Sequence, residues 1–216
     1  RSAYPPFWMA RTRNGSAASR TLASVMSDVQ SALSMPGRVI VLCGPPGSGK
    51  GVVAGRAAVR GLTVLSLGDV VRAETADRGL PETTENVGQT ALSMREEQGE
   101  TIVVDRLMPS LSEAMESSDV LIDGMRQTEE LERLREHIGD VTIVALTASA
   151  QAREGWLAER GRGEDGGEEE FAVREEREWN WSLEHLMAQA HAIILNEGSV
   201  EELGDRTDMI LETLGF

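Results

Sequence analysis

The sequence predicts an α/β fold: a three-layer sandwich in which a five-stranded parallel sheet carries helices on both faces. Three observations predict it. Five short runs are apolar along nearly their whole length and alternate with helix-length segments. Strands that are buried on both faces read this way, because parallel strands are joined by crossovers that cover the sheet. The first run ends in a glycine-rich turn that opens directly into a helical segment. The chain has 216 residues, about one domain and enough to bury a full core.

Residues 1–35 stand apart. They hold four Arg against one Asp, whereas the formal charge of the chain is −15. Asn14–Ser19 is small and polar, and a weak helical pattern at Val25, Val29 and Ala32/Leu33 follows. Arg- and Ser-rich, acid-poor leaders can be organelle transit peptides. The reading adopted is a disordered extension or a mis-assigned start, with initiation near Met26 or Met35. The domain is then expected over residues 36–216.

The strands follow in order. Arg38–Cys43 is β-branched and ends before glycine; Thr63–Leu67 is the second strand, Asp119–Asp123 the third, Val141–Leu146 the fourth and His191–Leu195 the fifth. Between them lie helices with periodic apolar positions. Residues 50–60 follow the glycine turn. Val87, Ala91 and Met94 mark one stripe; Val104, Leu107, Met108, Leu111 and Met115 mark another, interrupted by Pro109. Proline removes a helical hydrogen bond and clashes with the preceding turn, so a kink or two helices is expected there, with Ser110 and Glu113 capping the second. Leu131, Leu134 and Ile138 form a short helix. Trp179, Leu183, Leu186/Met187 and Ala190 share one face of a longer one. In the last helix Ser199 and Glu202 make a capping box, and Val200, Leu203, Thr207, Ile210, Leu211 and Leu214 form the inner face.

Composition excludes some functions. The acidic balance argues against direct nucleic-acid binding by phosphate neutralisation. One cysteine, Cys43, rules out an internal disulfide and fits a reducing compartment. No apolar run approaches the roughly 18 residues of a membrane span. A soluble, cytoplasmic protein without membrane contact is expected.

Gly44-Pro45-Pro46-Gly47-Ser48-Gly49-Lys50 lies between a predicted strand and a predicted helix. That context marks a phosphate-binding loop, or P-loop. Glycines let successive backbone N–H groups turn inward around phosphates, and the helix adds its positive N-terminal end. Lys50 is the one lysine of the chain, against twenty arginines. A compact ammonium on a flexible stem reaches β- and γ-phosphates as a planar guanidinium does not. The binding set is Gly44, Pro45, Pro46, Gly47, Ser48, Gly49, Lys50, Gly51 and Val52, and ATP is the expected ligand. The hydroxyl residue that usually follows the lysine and holds magnesium is absent, since Gly51 and Val52 stand there. Asp123 ends the third strand, next to the loop in such a sheet, and can hold a Mg²⁺ ion through water.

These segments resemble nucleoside monophosphate kinases of the adenylate kinase type. Gly44–Gly51 resembles their loop, which continues with threonine where this chain has Val52. Ser66-Leu67-Gly68-Asp69-Val70-Val71-Arg72 resembles their Thr-Gly-Asp-x-x-Arg segment. Asp123-Gly124-Met125-Arg126-Gln127-Thr128 resembles their Asp-Gly-Phe-Pro-Arg-Thr, with the arginine one place earlier. The resemblance implies that Arg72 and Arg126 grip an acceptor's phosphate and that Asp69 orients that segment. A closer similarity is to an uncharacterised adenylate-kinase-related P-loop family known mainly from archaea. It is carried by Gly68–Arg72, Arg95-Glu96-Glu97-Gln98-Gly99, Asp123–Arg126 and Asn196–Leu203, the last of which also resembles dephospho-coenzyme A kinases. The similarity covers roughly residues 38–216.

Arg160-Gly161-Arg162-Gly163-Glu164-Asp165 resembles the short arginine-bearing lid of these kinases, and Arg174 lies twelve residues after Arg162. Guanidinium groups brought in by a closing lid would stabilise charge on the transferring phosphoryl group. The expected layout is an acceptor-binding segment at about 69–117 and a lid at about 158–170. His137, His185 and His191 lack metal-ligand spacing and are read as structural.

The expected activity is Mg²⁺-dependent transfer of the ATP γ-phosphoryl group to a small phosphate-bearing acceptor such as a nucleoside monophosphate. Lys50, Asp123, Arg162 and Arg174 would be the catalytic residues. The alternatives are a dephospho-coenzyme A kinase-like enzyme, or a catalytically weak nucleotide-binding regulatory module or ATPase.

Overall fold

The computed structural model describes residues 37–160, 172–173, 175–176 and 182–216, and for residues 158–160 only the backbone. Expectations for residues 1–35 therefore fall outside the described residues. So do Arg162, Arg174 and Trp179.

Among the described residues the elements run in the following order: β1 (Val39–Cys43), α1 (Lys50–Val59), β2 (Thr63–Ser66), α2 (Leu67–Asp77), α3 (Thr84–Gln98), α4 (Ile102–Met115), β3 (Val120–Asp123), α5 (Thr128–Ile138), β4 (Thr142–Thr147), α6 (Ala150–Arg160), α7 (Leu183–Met187), β5 (Ala192–Leu195) and α8 (Val200–Thr213). The five strands form one sheet in the order β2-β3-β1-β4-β5, and every pairing is parallel. Each expected strand is present within a residue or two of its predicted bounds.

Alternation along the strands makes the layers. Val39, Val41, Cys43, Val120, Ile122, Ile143 and Ala145 point to a core shared with α2, α3, α4, α5 and α7. Ile40, Leu42, Leu121, Val144, Leu146 and Ile194 point the other way, onto α1 and α8. Successive side chains of a strand face opposite sides, so a strand apolar at every position needs a layer on each. β1, in the middle of the sheet, is buried throughout.

Several helical expectations change. α4 runs unbroken through Pro109, so there is no second helix capped by Ser110. Pro109 is exposed, while Val103, Val104, Leu107 and Leu111 on the same helix are buried. The lost backbone bond thus sits on the solvent side, where carbonyls already tilt toward water, and core burial holds the helix together. α2 was not expected; Ser66 caps it by accepting from the Asp69 N–H at 3.3 Å. α6 was not expected either. α7 is shorter than the predicted face and excludes Ala190. In α8 the capping box is formed in both directions: the Glu202 N–H donates to Ser199 Oγ at 3.2 Å, and the Ser199 N–H donates to Glu202 Oε2 at 2.9 Å. Leu203, Thr207 and Leu211 are buried, but Val200 is 64% exposed, so the inner face begins one turn later than expected.

No helix among the described residues is long and apolar enough to cross a membrane.

Candidate functional site

Parallel sheets place ligands at the carboxyl ends of their strands. A cavity of about 770 Å³ lies there, lined by Pro46–Val52, Ser66, Gly68, Arg72, Asp123, Gly124 and Arg126 on one side and by α6 and the β5–α8 turn on the other.

The loop after β1 is built as its glycines predict. Gly49 precedes α1 with φ +100°, and a Cβ there would meet Asn196 Nδ2 and Leu203 Cδ2 at 2.8 Å. Gly47 has φ +74°, and a Cβ would meet the Arg153 carbonyl oxygen at 2.8 Å and Leu157 Cδ1 at 2.9 Å. Only glycine takes these backbone angles at no steric cost. The Lys50 ammonium folds back over the loop and donates to the Gly44 and Pro45 carbonyls at 2.6 and 2.9 Å. Gly44 and Pro45 themselves lie behind the cavity lining, and their contribution is this pair of carbonyls. Gly51 is exposed at the start of α1, and a Cβ at this position would meet nothing within 4 Å among the described residues.

Two residues not assigned to the phosphate loop from the sequence brace it. Asn196, 6% exposed, donates from Nδ2 to the Ser48 carbonyl at 3.0 Å. Arg153, 3% exposed, donates from Nη1 to the Pro46 carbonyl at 3.1 Å and from Nε to Ala148 at 3.2 Å, and pairs with Glu175. Asn196 had a detectable signal, an amide directly after an apolar strand and before Gly-Ser. Arg153 had none, because in sequence it reads as one more surface arginine.

Asp123 sits beside the loop, as the third strand predicted. β1 and β3 pair Leu42 with Asp123, and the Gly124 N–H donates to the Leu42 carbonyl at 3.2 Å. Asp123 Oδ1 is buried and makes no hydrogen bond among the described residues. Burial pushes its carboxyl above the ordinary aspartate range; the Lys50 and Arg126 charges pull it back only in part, and the Asp69 carboxylate adds to the rise. Ser48 Oγ, inside the loop, is likewise buried without a partner among the described residues. Orphaned buried oxygens are uncommon and mark places where a ligand or ion completes the bonding.

Arg72 and Arg126 both line the cavity at the Asp123 end. Arg72 is paired with Asp69 and lies 3.4 Å from Glu82. Asp69 is 71% exposed at its side chain and is not itself part of the lining, so the structure makes it a partner of Arg72. Behind Arg126 lies a buried network. Arg95 donates to Glu130 at 2.7 Å, to Gln127 Oε1 at 2.9 Å and to the Ala91 carbonyl at 3.0 Å. Glu130 also accepts from the Arg126 N–H at 3.4 Å. This network ties the segment after β3 to α3 and gives the Arg95–Gly99 motif a structural role.

The first residues of the expected lid, up to Arg160, end α6; residues 161–170 lie outside the described residues. Cys43 is buried beneath the loop, and burial pushes its thiol up to about 12 against the pull of Lys50. His191 Nδ1 accepts from the Ile143 N–H at 3.0 Å, a link between the strand ends of β4 and β5. No group of three or more His, Cys, Asp or Glu able to hold a metal occurs among the described residues.

With its glycine loop following the central strand and an acid on the strand alongside, the chain is a P-loop protein of kinase-like α/β fold. Comparison with known proteins narrows this. A family model described as an AAA domain matches residues 43–171. A UPF0200 protein of Hyperthermus butylicus is 36% identical over 177 residues, covering 82% of this chain and 94% of that protein. The chain belongs to the UPF0200 family. A UPF0200/UPF0201 protein of Archaeoglobus fulgidus is also 36% identical over 177 residues, covering 81% of this chain; here the chain spans only 55% of its relative's length. Among solved structures, a protein from Thermus thermophilus superposes with a TM-score of 0.59 at 21% identity, covering 84% of this chain and 100% of that one, a likeness of fold.

Proposed function

We propose that the chain binds Mg-ATP in this cavity and moves the γ-phosphoryl group to a small phosphate-bearing acceptor, as the nucleoside monophosphate kinases that it resembles do. The observation that carries this reading is a single cavity joining the glycine loop to a buried carboxylate and two arginines.

The loop amides would hold the β-phosphate, and Lys50 would exchange its two loop carbonyls for β- and γ-oxygens. Arg72 and Arg126 would hold the acceptor's phosphate at the opposite end of the reacting line. Two ionised reactants repel each other, so placing them in line under cationic groups is most of the catalysis required. No general base is needed for an acceptor that is already ionised. Asp123 fits a cation held through water, because its Oδ1 is buried and unpartnered among the described residues. Asp123 would hold magnesium in this way, and the ion when bound would supply neutralisation of phosphate charge. Arg160, Arg162 and Arg174 are proposed to close over the γ-phosphate as a lid at about 158–170. Residues 69–117 are proposed as the acceptor segment of a domain spanning 36–216.

The absence of a hydroxyl at Gly51 and Val52 favours a second reading, a nucleotide-binding module with weak or no transfer. One assay separates the two. Pure protein is incubated with Mg-ATP and a panel of nucleoside monophosphates and dephospho-coenzyme A. Rapid transfer to one acceptor supports the kinase. Saturable ATP binding without turnover on any acceptor refutes it in favour of the module, and acceptor-independent hydrolysis favours an ATPase. Lys50→Ala is the control in each case.

A further inference from the structure

Arg126 lines the cavity from a short loop between β3 and α5. A loop side chain holds a defined position only when the surrounding structure fixes its backbone. Three ties fix this one. The Gly124 N–H donates to the Leu42 carbonyl at 3.2 Å. The Met125 side chain, 1% exposed, belongs to the same core as Met94 of α3 and Leu111 of α4. The third tie is polar: the Arg126 N–H donates to Glu130 Oε2 at 3.4 Å, while the Gln127 side chain accepts from Arg95 at 2.9 Å and donates to Glu100 at 3.3 Å.

Stability alone is a weak reason to build the polar tie. Arg95 and Glu130 are both buried. A buried ion pair recovers little more than its desolvation cost, and apolar side chains of similar volume often stabilise a fold as well or better. What a guanidinium adds is direction, because its donors leave in a fixed fork. Here Nη2 goes to Glu130 and Nε to Gln127, and Nη1 goes to the Ala91 carbonyl of its own helix. Two prongs of the fork therefore end on the residue after Arg126 and on the carboxylate that holds the Arg126 N–H. Apolar replacements could fill the same volume, but they would leave that N–H without its carboxylate and the Gln127 amide without its arginine.

We propose that Arg95, Gln127 and Glu130 are positioning residues for the acceptor: they fix the backbone from which Arg126 reaches the acceptor's phosphate. None of the three is part of the cavity lining, so each acts through Arg126 and not by touching a ligand. The inference rests on the phosphoryl-transfer reading. It gives the Arg95–Gly99 segment, which stands outside the cavity, a part in acceptor binding, and it ties the grip on the acceptor to the placement of α3.

The test is steady-state kinetics on the full chain with Mg-ATP and whichever of AMP, CMP, GMP, UMP and dephospho-coenzyme A is transferred fastest. The double variant Arg95→Met with Glu130→Leu should raise KM for the acceptor about tenfold, the effect of losing one charge-assisted hydrogen bond. Its kcat and its KM for ATP should stay within about twofold of wild type, the pattern of lost ground-state binding to one substrate. Gln127→Met leaves the Arg95–Glu130 pair in place; it should raise the acceptor KM a few-fold, and it serves if the double variant fails to fold. Leu134→Ala, in the buried face of the same helix α5, is the control. It should lower Tm and leave both KM values alone, so that a loss of stability by itself does not read as a loss of acceptor binding. An acceptor KM unchanged in both network variants would overturn the inference. So would KM values for ATP and acceptor that rise together, or a rise in Leu134→Ala that matches the network variants. If wild type transfers to none of these acceptors, the transfer reading itself has failed and the inference falls with it.

Discussion

Removing the Glu130 carboxylate should be among the most damaging single changes away from the phosphate loop. Glu130 is 1% exposed and Arg95 6% exposed, and they lie 2.7 Å apart. Glu130→Ala leaves the Arg95 guanidinium buried with its carboxylate gone, and breaking a buried pair in this way costs about 3–5 kcal/mol. The bonds to Gln127 and to the Ala91 carbonyl remain, which argues for the lower part of that range. For a domain of this size each kcal/mol moves the midpoint by about 2–4 °C, so a fall in Tm on the order of 10 °C is expected. Glu130→Gln keeps volume and one acceptor, and should cost about 1–3 kcal/mol. The double change Arg95→Met with Glu130→Leu should recover most of the loss, because apolar groups of similar size avoid the desolvation cost of the pair. Thermal and urea unfolding of the four proteins checks this. If Glu130→Ala melts within about 1 °C of wild type, or if the double change is as unstable as the single one, the pair is not a buried, coupled ion pair. The functional corollary follows from the bond between the Arg126 N–H and Glu130. Glu130→Gln should raise KM for the acceptor while leaving ATP affinity near wild type.

Other predictions follow from the site. Burial raises the folded pKa of Asp123, so its stabilising contribution is complete below the ordinary aspartate pKa and is lost as pH rises through the raised value. Asp123→Asn should therefore raise Tm at neutral pH relative to wild type while lowering the Mg²⁺ dependence of ATP binding; a lower Tm at neutral pH would refute the assignment. Gly51 sits in the first turn of α1 with room for a Cβ, so Gly51→Ala should stabilise by up to about 1 kcal/mol. Gly51→Thr should in addition strengthen Mg-ATP binding, measured by calorimetry with and without magnesium. The Cys43 thiol, pushed up to about 12 by burial, should resist a thiol reagent at pH 8 in the native protein and react fully once unfolded, as a colorimetric titration would show.

Much of the fold was legible because it is written locally. A β-branched run such as Val39–Cys43 needs cover on both faces. A glycine loop ending in the chain's one lysine needs a strand before it and a helix after it. Ser199 and Glu202 cap α8 whatever else the chain does. The misreadings share a cause as well. Pro109 predicts a break only when its place on the helix is unknown; on the solvent side, core contacts from the same helix outweigh one lost bond. Val200 fits the periodicity of an inner face, yet α8 approaches the sheet only one turn later. α2 was hidden because its apolar positions are few, and its cap was read as part of a phosphate-recognition motif.

The order of the strands, and therefore which strand-end residues share the cavity, was settled only in three dimensions. So were the braces from Arg153 and Asn196 to the loop carbonyls and the Arg95–Glu130 pair behind Arg126. By itself the sequence determined the apolar strands, the glycine loop and the capped last helix, since periodicity, turn chemistry and capping act between residues a few positions apart. Tertiary structure decided the rest, because an arginine or a tryptophan carries no local mark of whether its partner, more than thirty residues away, will bury it or leave it to line a site.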